Sequence, residues 1–134
     1  MSEKQRTLKG VVKLKGIGLH TGVVANLEIH PAPANHGYKF QRIDLEGKPV
    51  IKADVDRVIS TERGTTLEQN DARVHTTEHV LAAVYGCQID NALITVDGPE
   101  IPIMDGSALK FVEAIEAVGY EEQDAERVYF ELTE

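Results

Sequence analysis

The sequence predicts an α+β domain, with strands gathered in its first half and two helices in its second. Three observations carry that expectation. In VVANLEIH, residues 23–30, Val23, Ala25, Leu27 and Ile29 alternate with Val24, Asn26, Glu28 and His30, the period of a half-buried strand. In SALKFVEAIEAVG, residues 107–119, Ala108, Phe111, Val112, Ile115 and Val118 recur at helical spacing. TTEHVLAAVYG, residues 76–86, is a second helical stretch. A chain of 134 residues with 42% hydrophobic content suits one domain with a substantial core.

Element by element, TLKGVVKLKG reads as a loosely alternating strand with Leu8, Val12 and Leu14 as core candidates. GIGLHTG, with three glycines, is a turn or crossover, and PAPANHG is a loop by composition. YKFQRID and PVIKADVDRVIS are further strands. STERGTT is a loop or strand end, and LEQNDAR a turn with a short strand arm. The helix after it starts at Thr76 or Thr77, whose hydroxyl suits an N-cap, and stops at Gly86. DNALITVDG is a buried strand, and PEIPIMDG an extended connector. Asp105 or Ser107 caps the second helix and Gly119 ends it. EEQDAE is a polar linker. RVYFELTE opens a new alternation at Val128, Phe130 and Leu132. That last strand is either a final edge of the same sheet or the entry to a further domain.

Bulk chemistry narrows the function classes. The net charge is −8 and the cations are scattered, which disfavours a nucleic-acid partner and docking to anionic lipid. One cysteine, Cys87, excludes an internal disulfide and fits a reducing compartment. The N-terminus lacks the apolar region of a secretory signal, and no apolar run approaches the ~20 residues of a transmembrane helix. The expectation is a cytoplasmic location.

RVHTTEHVLAAVYG raises a question of chemistry. With His79 at zero on the helical wheel, Val80, Leu81, Val84 and Tyr85 form a bulky stripe expected to face the core. Glu78, Ala82 and Ala83 flank His79 on a face with room for an approaching group. A helix N-terminus favours the Glu78 carboxylate, so an ordinary first-turn glutamate and a packed imidazole explain the pair as well. A zinc site needs nitrogen donors and a nearby base that takes a proton from water. HTTEH also matches the H-x-x-E-H string of inverted-motif zinc proteases. That string needs both rings on one helical face, and Thr76 and Thr77 put His75 before the helix.

Taken in order, GIGLHTGVVANLEIHPAPANHGYKFQRIDL, TTLEQNDARVHTTEHVLAAVYG and IDNALITVDGPEIPIMDGSALKFVEAI resemble the N-terminal domain of the UDP-3-O-acyl-N-acetylglucosamine deacetylases. These are zinc hydrolases of lipid A biosynthesis in Gram-negative bacteria. The resemblance covers about residues 5–123. It implies a two-layer α/β sandwich: a mostly antiparallel sheet of about five strands, two helices packed on one face, and a small β insert. It implies residues 1–126 as the N-terminal deacetylase domain and 127–134 as the linker or first strand of a second domain.

By the same resemblance His79 is the zinc ligand from this chain and Glu78 the general base. The remaining ligands, a histidine and an aspartate, belong to the missing C-terminal domain, so this chain alone is expected to be inactive and to hold zinc weakly. STERGTT aligns with a loop near the metal, which makes Thr61, Glu62, Arg63 and Gly64 candidates for contact with the UDP-acyl-glucosamine substrate. Glu62 and Arg63 stand where the family often has apolar residues. His20 and Asp105 match family positions, with a supporting role or the plainer ones of turn histidine and helix cap. His75 is not supported as a ligand. The implied setting is the cytoplasm of a Gram-negative bacterium, near the inner membrane face. The rival readings are a non-catalytic binding module of the same fold and the zinc protease.

Overall fold

The computed structural model describes residues 4–53, 58–61 and 64–127. Strands β1 (Lys4–Leu8), β2 (Val12–Ile17), β3 (Val24–Pro31), β4 (Tyr38–Arg42) and β5 (Val50–Lys52) come first. They are followed by β6 (Val58–Thr61), β7 (Gly64–Gln69), β8 (Ala72–Val74) and helix α1 (Glu78–Gly86). Strand β9 (Ala92–Val96), helix α2 (Leu109–Val118) and strand β10 (Tyr120–Glu126) complete the order. The class is α+β, as expected.

The main sheet has five strands in the order β2-β3-β9-β4-β5. All neighbours are antiparallel except β4 and β9. Its register aligns one apolar row across every strand: Val12 opposite Ile29, Ile29 opposite Ile94, Ile94 beside Phe40, and Phe40 opposite Ile51. All five are buried, and fully burying one such side chain contributes about 1.5–3 kcal/mol. Strand β9 lies at the centre, with Ala92, Ile94 and Val96 buried on the core face, Thr95 also buried and Leu93 partly so. The two helices pack on each other. Val80, Ala83 and Val84 of α1 and Phe111 and Ile115 of α2 join the core formed by the sheet. The β6-β7-β8 sheet is the small insert. It is tied to the main sheet by the Arg42 guanidinium, which donates to the Arg73 carbonyl at 2.8 Å and pairs with Asp44 at 2.7 Å.

Four local expectations are corrected. TLKGVVKLKG is two strands, because β1 pairs with β10 while β2 pairs with β3. EEQDAE is not a linker: with Tyr120 it forms β10, antiparallel to β1. Its acidic residues lie opposite the basic ones of KQRTL, Lys4 opposite Glu126 and Arg6 opposite Glu122. Cross-strand charge pairing and the Arg6 guanidinium over the Tyr120 ring support this strand, where hydropathy shows nothing. PVIKADVDRVIS divides into β5 and β6. In α1, Tyr85 is 77% exposed and Ala83 is buried, so the inward stripe is Val80, Ala83 and Val84, rotated from the bulky one expected. The expected strand at 128–132 lies outside the described residues.

The helix boundaries fall as expected, with α1 starting after Thr77 and stopping at Gly86 and α2 ended by Gly119, but the capping contacts differ and Ala108 holds the N-cap of α2. Thr77 occupies the N-cap of α1 without a side-chain cap bond; its hydroxyl donates instead to the Thr65 carbonyl at 3.2 Å. The left-handed residue after α1 is Gln88, at φ 60°, rather than Gly86. Ahead of α2, the Ser107 hydroxyl accepts from the Leu109 amide at 3.2 Å and donates to Asp105 at 2.9 Å. Ser107→Ala is therefore expected to cost about 1 kcal/mol, read as a lower midpoint in urea denaturation.

Candidate functional site

The site is assembled at the entry to α1, where the insert, the 18–22 turn and the connector after β9 converge. Glu78 and His79 open the helix, and both are half-buried. Glu78 Oε1 accepts from the Thr65 amide at 3.3 Å, so β7 orients the carboxylate. The Thr77 amide donates to the Thr65 carbonyl at 3.1 Å, which fastens the helix start to the same strand. Among the described residues, no hydrogen bond or ion pair holds the His79 ring. Its nitrogens remain available to a group outside these residues.

His75 is handled differently. Its Nδ1 shares a 2.8 Å hydrogen bond with the Thr66 hydroxyl, both groups buried. Its amide donates to the Pro99 carbonyl at 2.8 Å and its carbonyl accepts from the Ile101 amide at 3.1 Å. His75 thus sits in extended backbone bridged to Glu100, not in α1. H-x-x-E-H does not present two rings one turn apart here, which removes the geometry a zinc protease requires.

The residue that sequence reasoning missed is Glu100. It is only 1% exposed, and its carboxylate accepts from the Thr21 amide at 3.0 Å, the His20 amide at 3.2 Å and the Thr76 hydroxyl at 2.8 Å. Burial pushes its carboxyl up, but the donations from Thr21, Thr76 and His20 outweigh that and hold it below the usual glutamate range. A Cβ on Gly18 would fall 2.4 Å from Glu100 Oε1, so only glycine lets the turn close over the carboxylate. Thr76 lies at φ 62°, a left-handed conformation that costs a β-branched residue about 1–3 kcal/mol. One signal was present in the sequence: a lone charge inside the proline-flanked apolar stretch PEIPIM.

The other candidates divide. The turn that carries His20 is held by Glu100 to the entry of α1, and the His20 side chain is exposed. Asp105 stands apart, fully exposed; the Ser107 hydroxyl holds its carboxyl below the usual aspartate range, which is the role of a helix-entry brace. The backbones of Thr61 and Gly64 pair at the tip of the β6–β7 hairpin, adjacent to the Thr65 that orients Glu78. Glu62 and Arg63 lie outside the described residues. A groove of about 980 Å³ lies beside Cys87, Ile115 and Tyr120, at the opposite end of α1.

Among the described residues, no cluster of three His, Cys, Asp or Glu side chains is placed to hold a metal ion. The donor set at the α1 entry is one available imidazole beside one carboxylate, which fits one corner of a zinc coordination sphere. Among the same residues, no helix is long and apolar enough to cross a membrane.

The sequence model of the UDP-3-O-acyl N-acetylglycosamine deacetylase family, LpxC, matches residues 5–134. A bifunctional enzyme LpxC/FabZ of Bacteroides thetaiotaomicron is 54% identical over 127 residues, covering 95% of this chain and 28% of that protein. A UDP-3-O-acyl-N-acetylglucosamine deacetylase of Methylococcus capsulatus is 47% identical over 129 residues, covering 96% of this chain and 42% of that protein. One of Acidithiobacillus ferrooxidans is 45% identical over 130 residues, covering 97% and 43%. The chain therefore spans well under half the length of the curated relatives it matches.

Proposed function

The chain belongs to the UDP-3-O-acyl N-acetylglycosamine deacetylase family, and from that premise we propose that it contributes the general base and one metal ligand to a zinc-dependent deacetylase of lipid A biosynthesis. The substrate is UDP-3-O-acyl-N-acetylglucosamine, the compound in the names of its relatives. The observation that carries the reading is the pairing at the start of α1: a carboxylate oriented by the Thr65 amide next to an imidazole that nothing else among the described residues engages.

In this reading His79 offers one ring nitrogen to zinc, and the other ligands come from the part of the protein that this chain does not span. Bound zinc supplies Lewis acidity, making water a stronger acid and polarising a carbonyl. Glu78 accepts the proton of the water that attacks the acetamide carbonyl. The Thr65 amide holds the carboxylate in place during that transfer, which is where β7 enters the chemistry. Breaking the C–N bond and protonating the nitrogen yields acetate and the free amine of the UDP-acyl-glucosamine. Thr61, Glu62, Arg63 and Gly64, the four residues that precede Thr65 in the sequence, are proposed to meet the substrate. The proposed location is the cytoplasm of a Gram-negative bacterium, close to the inner membrane face.

The test is acetate release from UDP-3-O-acyl-N-acetylglucosamine with zinc present, for the full-length protein and for this chain alone. Turnover is expected only from the full-length protein, and metal analysis of this chain is expected to find weak zinc binding. Robust turnover by the 134 residues would overturn the divided site. An inactive full-length protein would favour the non-catalytic module.

A further inference from the structure

We propose that the Glu100 carboxylate and the Thr76 hydroxyl form a latch that sets the direction in which α1 leaves the chain, making Glu100 a positioning residue for Glu78 and His79. The proposal rests on the deacetylase reading for what those two side chains do.

The geometry pins both sides of Thr76 independently. Residue 75 is bonded at its amide and carbonyl to Pro99 and Ile101, the two neighbours of Glu100. Residue 77 is bonded at its amide to Thr65 of β7. The reversal between these anchors falls on Thr76, at φ 62°. A left-handed threonine persists only where its surroundings over-determine it, and the 2.8 Å bond from its hydroxyl to Glu100 Oε2 is such a constraint. Glu78 follows two residues later and His79 three.

The same carboxylate is held from the far side by the His20 and Thr21 amides. The turn at 18–22 and the helix start therefore share one buried anion. That turn closes over it without room for a Cβ at Gly18, so the carboxylate has little freedom to drift. A change on either side of Glu100 is transmitted to the other. Positioning by groups that do not themselves touch a metal is a general feature of such sites, and their loss typically costs 10- to 100-fold in affinity or activity.

Three variants of the full-length protein test this. Thr76→Val keeps the shape and removes the hydroxyl, whereas Thr76→Ser keeps the hydroxyl. Thr76→Val is expected to remain folded by circular dichroism, to lose about tenfold in kcat with KM little changed, and to bind zinc more weakly in chelator competition. Thr76→Ser is expected to match the wild type in all three. Gly18→Ala, which pushes on the carboxylate from the turn, is expected to speed hydrogen–deuterium exchange across residues 76–82, read by mass spectrometry; it carries the test if Thr76→Val does not fold. Wild-type kcat and zinc affinity in folded Thr76→Val, or unchanged exchange at 76–82 in folded Gly18→Ala, would overturn the latch. A wild-type protein without deacetylase activity, whose zinc affinity and exchange respond as described, would leave the latch standing and remove the deacetylase reading instead.

Discussion

Glu78→Gln in the full-length protein is expected to lower kcat for deacetylation by about 10²- to 10⁴-fold, the usual contribution of a positioned general base. Glutamine keeps a carbonyl oxygen that still accepts from the Thr65 amide, so the fold and the helix start are preserved. It cannot accept a proton from water at neutral pH. Zinc content, measured by metal analysis, is expected to be unchanged, because the ligand assigned to this chain is His79. KM is expected to shift little, since the lost interaction belongs to the transition state. A variant with wild-type kcat would remove Glu78 from the chemistry and leave it as an ordinary first-turn glutamate favoured by the helix dipole.

The second large effect is on stability. Glu100→Ala leaves the buried Thr76 hydroxyl and the part-buried His20 and Thr21 amides without their acceptor. Each orphaned donor costs about 1–3 kcal/mol, and the turn and the left-handed Thr76 relax in partial compensation. A net loss of about 3 kcal/mol is expected in urea denaturation. The carboxyl also predicts a pH dependence. Its pKa is lower in the folded protein than the usual 4.5, so its stabilisation is fully present above that usual value. It is lost as pH falls from there through the folded-state pKa. The Glu100→Ala variant is expected to lack this part of the acid limb, so the wild-type and variant stability curves converge at low pH.

The fold was legible wherever burial imposes a period on the chain. Ala25, Leu27 and Ile29 of β3, the apolar run of β9, and Phe111 and Ile115 of α2 all face the core as their spacing says. Strand β10 was not legible, because its support comes from opposite charges and an aromatic ring on a strand more than a hundred residues away. Hydropathy is blind to such a partner. The α1 stripe was misjudged for a related reason. Helical spacing gives the width of a face, but the neighbouring helix selects which small residue, here Ala83, turns inward.

For the site, the order of motifs in the sequence by itself determined the family resemblance and singled out Glu78 and His79. Those residues are adjacent, and a helix start needs neither for packing. The tertiary structure alone decided that His75 belongs to Thr66 and the 99–101 connector rather than to α1. It alone brought Glu100 under the 18–22 turn. The physical reason is distance along the chain: Glu100 meets its donors across 24 residues at Thr76 and 80 at His20. No local pattern encodes a hydrogen bond that exists only after the sheet has closed.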